Sequence, residues 1–235
     1  MPTVFLDFDG TITTRDATDA ILEAYADPRW LTIEGDWKAG RIGSRECLAA
    51  QVALIDARPE QIDALLDGIE IDPGFVSLLT LCVSRGVAVH IVSDGFDYCI
   101  HRILSRPALG LQRYLAGTRV VSSHLEADAG RWRATFTPAD SACAHGCATC
   151  KPAAMNRLRT PGHPAVFAGD GLSDRYAAAA ADLVFAKNDL ATYCRTQSIR
   201  CTPFQTLATV ASELDAILAD ATISRTSSGK ACPAT

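Results

Sequence analysis

The stretch Asp7-Phe8-Asp9-Gly10-Thr11 lies at the end of the apolar run Val4–Phe8. A short apolar run that ends in a polar turn is typical of a buried parallel strand. Because side chains alternate along a strand, Asp7 and Asp9 leave the backbone in similar directions. Two carboxylates in one place repel each other, so the pattern predicts a cation beside them rather than a solvated acidic turn.

A second acidic stretch, Gly169-Asp170-Gly171-Leu172-Ser173-Asp174, follows the apolar run Ala165–Ala168. Parallel strands end at one edge of a sheet, and open α/β sheets bind their ligands there. Carboxylate oxygens are the ligands that Mg²⁺ prefers, and the ion keeps positions open for phosphate. We therefore expect a Mg²⁺ site built from Asp7, Asp9, Asp170 and Asp174.

Two other segments suit a bound phosphate. Ser93 and Asp94 follow the apolar run Val87–Val92 and precede a helix-like run, and a hydroxyl with free amides at a helix start can hold phosphate oxygens. Lys151 stands before Pro152 at the start of another helix, where its ammonium can neutralise a phosphate. Taken alone, these features also fit an ordinary turn and a surface lysine.

The chain alternates short apolar runs with helical stretches, which predicts the α/β class with a doubly wound parallel sheet. The segment 16–71 breaks this alternation with successive helical patterns, so we predict a small helical cap domain there. Its predicted helices are Asp16–Ala26, Trp30–Lys38, Ser44–Asp56 and Pro59–Leu66. The predicted core comprises residues 1–15 and 72–222, with a β-hairpin flap at 119–136 and a loose tail at 223–235.

Composition excludes several classes of protein. The 235 residues are 48% hydrophobic and 21% charged, with a net charge of −5, which argues against a nucleic-acid binder or a membrane-surface binder. No apolar run approaches the roughly 20 residues that span a bilayer, and the first residues do not resemble a signal peptide. We expect a cytoplasmic protein that is a monomer or a homodimer.

Four potential soft metal ligands lie close together in the chain: Cys143, His145, Cys147 and Cys150. The spacing of Cys147 and Cys150 occurs in zinc sites and in thiol redox pairs. A second, separate pair of ligands, normal for structural zinc, is missing. Zinc, a redox-sensitive disulfide and plain reduced cysteines therefore all remain open.

The ordered set of Asp-x-Asp-Gly-Thr at 7–11, strand-end Ser93, Lys151 and Gly-Asp-x-x-x-Asp at 169–174 closely resembles the haloacid dehalogenase superfamily of aspartate-nucleophile phosphohydrolases. The resemblance covers residues 4–11, 87–106 and 151–187, and it is greatest to the phosphoserine-phosphatase branch. The run Val-Ser-Asp-Gly-Phe-Asp-Tyr at 92–98 and the stretch ending in Cys150-Lys151-Pro152 are similar to those of methionine-salvage phosphatases. Those act on 2-hydroxy-3-keto-5-methylthiopentenyl 1-phosphate.

The resemblance implies a role for each core residue. Asp7 would be the nucleophile that forms an aspartyl-phosphate, and Asp9 the general acid and base. Mg²⁺ would be held by Asp7, the backbone carbonyl of Asp9 and Asp170, with Asp174 acting directly or through a water. The phosphate of a small phosphorylated metabolite would be held by Thr11, Ser93, Asp94 and Lys151.

The cap decides which substrate the resemblance favours. Phosphoserine phosphatases hold the substrate amine with an acid near the position of Asp16. Their cap arginine has no counterpart in Cys47–Gln51, although Arg41 and Arg45 lie one or two turns earlier. An apolar surface for a thioether can come from Trp30, Ile33 and Trp37, which also fit ordinary cap core, so phosphoserine is the second candidate.

Two hypotheses come from other classes of protein. A metal- or redox-sensing protein on an inactive phosphatase scaffold would use the cysteine cluster and show no turnover. A phosphorylated signalling receiver also gathers acids at strand ends, but its phosphorylated aspartate comes later in the chain and it lacks a helical insert.

Overall fold

The computed structural model describes residues 1–128, 130–137 and 145–220. Its strands are β1 (Thr3–Leu6), β2 (Ala88–Phe96), β3 (Val120–Asp128), β4 (Arg131–Thr135), β5 (Ala165–Gly169), β6 (Leu183–Ala186) and β7 (Thr202–Pro203). They form one sheet in the order β4-β3-β2-β1-β5-β6-β7. Among the strands of the described residues, only the pairing of β3 with β4 is antiparallel. The predicted α/β class with a mostly parallel sheet is confirmed.

Helices cover the sheet and form the insert. They are α1 (Ala17–Tyr25), α2 (Trp30–Lys38), α3 (Ser44–Val52), α4 (Pro59–Asp67), α5 (Phe75–Arg85), α6 (Asp97–Leu104), α7 (Gln112–Leu115), α8 (Lys151–Leu158), α9 (Arg175–Ala180), α10 (Asn188–Thr196) and α11 (Leu207–Ala219). Short 3₁₀ turns lie at Pro107–Leu109 and Leu172–Asp174. Within the described ranges, no helix has both the length and the apolar character needed to cross a bilayer.

The sheet centre is β1, which pairs with β2 on one side and β5 on the other. All four of its residues are buried. Because strand side chains alternate, Phe5 joins the hydrophobic cluster on one face, whereas Val4 and Leu6 join the larger cluster on the other. The common register places the carboxyl ends of β1, β2 and β5 side by side.

The insert, which we call the cap (residues 16–71), leaves and rejoins the core at one neck. Thr13 bridges Ile71, and the Thr14 N–H donates to the Glu70 carbonyl at 3.0 Å. The predicted helix Ser44–Asp56 ends early, at Val52, because Ile55 bridges Ala26 at the end of α1. The division of the chain into cap and core remains an interpretation.

The predicted hairpin is present as β3 and β4. Gly130 has φ +80° in its turn, and Ala129 lies outside the described residues. Trp132 of β4 donates its indole N–H to the Ala57 carbonyl of the cap at 2.8 Å. It also packs edge-on against Tyr98, with ring centroids 5.3 Å apart. The predicted tail, residues 223–235, lies outside the described residues.

Candidate active site

Asp7 and Asp9 lie at the carboxyl end of β1, as the strand pattern predicts. The turn after them forms because the N–H groups of Thr11, Ile12 and Thr13 all donate to the Phe8 carbonyl, while the Phe8 side chain is fully buried. Gly10 has φ +69°, a left-handed conformation that favours glycine. The turn holds Asp7 nearly buried, at 4% exposure.

The two acidic stretches meet at this edge. One carboxylate oxygen from each of Asp7, Asp170 and Asp174 can be chosen so that all three lie within 4.8 Å of one another. Asp174 is fully buried, and its Oδ2 accepts hydrogen bonds from the N–H groups of Asp170 (3.0 Å) and Gly171 (3.1 Å). The tight 3₁₀ turn Leu172–Asp174 therefore aims this carboxylate back at the strand ends.

Lys151 is buried among these carboxylates. Its Nζ donates to Asp7 Oδ1 at 2.7 Å and to Asp174 Oδ1 at 2.5 Å. Burial alone would lower the pKa of Lys151, but the charges of Asp174 and Asp7 outweigh burial and hold that pKa well above its usual value. The lysine is thus a permanent cation, brought here as the first residue of α8.

One ammonium does not balance three carboxylates. Burial and repulsion from Asp174 raise the pKa of Asp7, although Lys151 attracts its charge. The same two causes raise the pKa of Asp170 to about 6. A crowded set of hard oxygen donors that resists ionisation fits a divalent cation such as Mg²⁺, which would restore the charge balance.

The Asp9 carboxylate lies against the start of α1. Its Oδ1 accepts a hydrogen bond from the Ala17 N–H, at the start of α1, at 2.8 Å. Burial raises the pKa of Asp9 to about 6, partly opposed by this hydrogen bond. A carboxyl with a pKa near neutrality can both give and take a proton.

Three glycines make room for the carboxylates, a role that the sequence reasoning above missed for all three. A Cβ on Gly10 would lie 2.4 Å from Asp170 Oδ2, one on Gly95 would lie 2.2 Å from Asp9 Oδ2, and one on Gly169 would lie 2.4 Å from Asp174 Oδ2. Each glycine directly adjoins an acidic motif, so its position is the signal that could have identified it.

The predicted phosphate-binding residues have different surroundings. Ser93 is buried, and its Oγ accepts the Gly95 N–H at 3.0 Å. The Thr11 hydroxyl donates to Asp170 Oδ1 at 3.2 Å. Asp94 uses both carboxylate oxygens on protein groups, the hydroxyl of Ser44 (2.7 Å) and the N–H of Thr149 (3.2 Å).

A cavity of about 540 Å³ opens above the aspartates, between core and cap. Asp16 lines it and also caps α1, accepting the Asp19 N–H at 2.8 Å. Sequence reasoning missed other residues that line it: Thr18, Asp19, Glu34, Lys38, Leu48, Ser173 and Asn188. The Thr18 hydroxyl is buried and has no hydrogen-bond partner in the described part of the chain.

The other predicted cap residues lie elsewhere. Trp30 packs against the large hydrophobic cluster and does not line this cavity, whereas Trp37 does. Arg41 pairs with Asp36 and lines a neighbouring cavity of about 460 Å³. Arg45 donates to the Thr137 carbonyl at 2.6 Å and to the Cys147 carbonyl at 3.4 Å. No hairpin residue lines the cavity above the aspartates among the residues described.

The cysteine cluster is described only in part, because Cys143 lies outside the described residues. Cys147 and Cys150 are both partly buried. His145 stacks on Tyr176, with ring centroids 4.0 Å apart and an interplanar angle of 12°. Among described residues, the acidic triad is the group of side chains arranged to hold a metal ion. Zinc binding and redox sensitivity remain hypotheses.

The chain resembles known proteins over most of its length. The family model described as haloacid dehalogenase-like hydrolase matches residues 4–179. A Geobacillus kaustophilus protein named 2-hydroxy-3-keto-5-methylthiopentenyl-1-phosphate phosphatase is 31% identical over 206 residues, covering 86% of this chain and 90% of the relative. A protein of the same name from an Exiguobacterium species is 28% identical, covering 86% and 92%.

Solved structures share the fold. A substrate-bound phosphoserine phosphatase superposes with a TM-score of 0.68 at 18% identity, covering 90% of this chain and 97% of its own. A phospho-aspartyl intermediate analogue of phosphoserine phosphatase gives a TM-score of 0.67 at 16% identity, covering 90% and 98%. The chain therefore belongs to the haloacid dehalogenase-like hydrolase family, as a phosphoric monoester hydrolase.

Proposed function

We propose that this phosphatase hydrolyses 2-hydroxy-3-keto-5-methylthiopentenyl 1-phosphate through an aspartyl-phosphate on Asp7, with Mg²⁺ as cofactor. The observation that carries the chemistry is the convergence of Asp7 with Lys151 and two further carboxylates at the end of the central strand. The substrate is inferred from relatives of that name, which align over most of the chain. The cytoplasmic location and the oligomeric state stay predictions.

In the first half-reaction, an Asp7 carboxylate oxygen attacks phosphorus while the bond from phosphorus to the ester oxygen breaks. Asp9 gives its proton to the departing oxygen, which leaves as a neutral alcohol. Its pKa of about 6 keeps part of the population protonated near neutral pH. Lys151 Nζ, 2.7 Å from Asp7 Oδ1, lowers the repulsion between nucleophile and phosphate.

In the second half-reaction, the ionised Asp9 takes a proton from water, whose oxygen attacks phosphorus while the bond from phosphorus to Asp7 breaks. Inorganic phosphate is released and the Asp7 carboxylate is restored. Ser93, buried beside the cavity, and Thr11 are the proposed hydroxyl and amide donors to phosphate. Mg²⁺ would be held by Asp7, Asp170 and the Asp9 carbonyl, with Asp174 direct or through water, and would supply positive charge at the phosphoryl oxygens.

The charges of the cap favour this substrate over phosphoserine, which carries an extra carboxylate. Three cations line the cavity: Lys38 of the cap pairs with Glu34 at 3.3 Å, Arg15 at the neck pairs with Glu23 at 3.0 Å, and Lys187 lies on the core side. Arg41 and Arg45 are engaged elsewhere. Within the described residues, the cap thus offers acids rather than a free cation. These acids, Asp16 among them, would suit an amine, which favours phosphoserine.

Phosphate release from three esters tests the proposal: the methylthiopentenyl ester, phosphoserine and p-nitrophenyl phosphate. We expect the methylthiopentenyl ester to give the highest kcat/KM, EDTA to stop turnover and Mg²⁺ to restore it. Asp7→Asn should lower kcat at least about 10³-fold, whereas the matched surface variant Asp27→Asn should not change it. A rate that EDTA does not change would contradict the need for a metal ion. A higher kcat/KM for phosphoserine than for the methylthiopentenyl ester would contradict the proposed substrate. Thiol-dependent behaviour with no turnover of any ester would favour the sensing hypothesis.

A further inference from the structure

Asp94 directly follows Ser93 in β2, and each oxygen of its carboxylate already accepts a hydrogen bond from another part of the chain. Oδ2 accepts the hydroxyl of Ser44 at 2.7 Å, and Oδ1 accepts the N–H of Thr149 at 3.2 Å. A carboxylate in this position would repel a phosphate held by Ser93. The Asp94 side chain therefore connects β2 with two segments that are distant from it in the chain, one at Ser44 and one at Thr149.

On the cap side, the connection begins at the first residue of α3. Ser44 Oγ donates to Asp94 and accepts the Ala148 N–H at 2.9 Å. The next residue, Arg45, donates its N–H to the Gly146 carbonyl at 3.1 Å. A Cβ on Gly43 would lie 2.6 Å from that same carbonyl oxygen, so the cap backbone lies directly against the segment 146–149.

On the core side, the same segment leads into the catalytic lysine. Thr149 is buried, and its carbonyl accepts the N–H of Lys151 at 2.9 Å. Lys151 in turn places its Nζ between Asp7 and Asp174. A shift of segment 146–149 would therefore move the start of α8 and the ammonium that it carries.

We propose that Asp94 is a positioning residue that couples the seating of the cap to the position of Lys151. When α3 is seated, Ser44 and Asp94 together fix the N–H groups of Ala148 and Thr149, and Lys151 faces Asp7. When the cap lifts, segment 146–149 loses its hydrogen bonds to Ser44 and Arg45, and Lys151 is less well held. The inference rests on the proposed phosphatase function and explains how the enzyme would restrict chemistry to the closed state.

Kinetics with p-nitrophenyl phosphate test the coupling. Ser44→Ala removes the cap hydroxyl, and because hydrogen bonds to charged groups are strong, we expect kcat to fall about tenfold with KM changed less than about twofold. Ser44→Thr keeps a hydroxyl and should restore kcat to within about threefold. The control Ser84→Ala removes a hydroxyl that bonds only to Leu81 within α5 and should change neither parameter.

Adding the substitution Asp94→Ala distinguishes a coupled effect of Ser44 and Asp94 on kcat from two independent effects. If Ser44 and Asp94 act together on segment 146–149, the loss of kcat in the double variant Ser44→Ala/Asp94→Ala should be smaller than the product of the two single losses. Multiplicative losses, or a normal kcat in Ser44→Ala, would overturn the proposal.

Amide hydrogen exchange provides a readout that needs no turnover. In Ser44→Ala, exchange at Ala148, Thr149 and Lys151 should quicken at least about tenfold, and not in Ser84→Ala. Faster exchange at Ala148 and Thr149 with unchanged Lys151 would refute the link to the lysine. If the wild-type protein hydrolyses no ester, the proposed function is wrong. The exchange pattern then still decides whether Ser44 and Asp94 are coupled to Lys151 through segment 146–149.

Discussion

At the scale of single residues, excess negative charge dominates the catalytic edge of the sheet. Asp7 and Asp174 share one buried cation, the Lys151 ammonium, and the partly exposed Asp170 has a carboxylate oxygen within 4.8 Å of one from each of them. The strand patterns predicted that the acids would converge, because each acidic stretch follows an apolar run. The pairing of Lys151 with both Asp7 and Asp174 could not be predicted, because it joins residues 144 and 23 positions apart.

Replacing the buried lysine tests this charge balance. We expect Lys151→Met to lower the free energy of unfolding by about 3–5 kcal/mol, because it leaves buried carboxylates without their cation. Urea unfolding in EDTA measures the change without help from added metal. Lys38→Met, at a side chain that is 59% exposed, should cost less than about 1 kcal/mol. Equal losses in the two variants would contradict the argument.

The buried ring of His90 is expected to make the free energy of unfolding depend on pH. Its Nδ1 accepts the Arg119 N–H at 3.1 Å, so the ring is neutral and carries its proton on Nε2. Burial, with a smaller effect of the Arg119 charge, lowers the pKa of His90 below its usual value of about 6.5. Its contribution to stability is therefore fully present above pH 6.5 and is lost as pH falls through the lowered pKa.

NMR titration of the His90 ring measures this shift. We expect a midpoint below that of the exposed His124, whose pKa is raised by its hydrogen bond to Asp97. A His90 midpoint at or above that of His124 would mean that burial does not control its protonation.

At the scale of elements, local signals placed many helix and strand ends correctly. The predicted helix Trp30–Lys38 coincides with α2. The apolar run Leu183–Ala186 forms β6, and Gly86 ends α5 with φ +64°. Asp72 Oδ1 accepts the Gly74 N–H at 2.8 Å, just before α5 begins. The structure adds that its Oδ1 also accepts the Leu207 N–H at 3.0 Å. That second bond joins α5 to α11, which no local pattern contains.

Two glycine-to-alanine substitutions should have opposite effects. Gly35 lies inside α2 with open space where a Cβ would go, so Gly35→Ala should raise the free energy of unfolding by roughly 0.5–1 kcal/mol. A Cβ on Gly74 would lie 2.0 Å from the Ala208 nitrogen, so Gly74→Ala should lower it by roughly 1–3 kcal/mol or more. Thermal and urea unfolding measure both. A neutral Gly74→Ala would mean that α5 and α11 can separate freely.

At the scale of the whole molecule, the hairpin fastens the cap to the sheet edge. Trp132 reaches the Ala57 carbonyl, while Tyr98 of α6 donates its hydroxyl to Asp63 of α4 at 2.6 Å. Because Trp132 is buried, Trp132→Phe should cost about 1 kcal/mol for the lost hydrogen bond. Trp132→Ala should cost about 3–5 kcal/mol for the lost packing. Urea unfolding compares them, and equal costs would assign the whole effect to the hydrogen bond.

The sequence by itself determined the α/β class, the helical insert and the convergence of Asp7, Asp9, Asp170 and Asp174. These follow from hydrophobic periodicity and turn residues, which act between near neighbours in the chain. Only the tertiary structure decided which cation meets which carboxylate, why Gly95 and Gly169 must lack a side chain, and that Asp94 binds Ser44 and Thr149. Those contacts join distant residues across close-packed surfaces, where partners are selected by shape and burial rather than by local pattern.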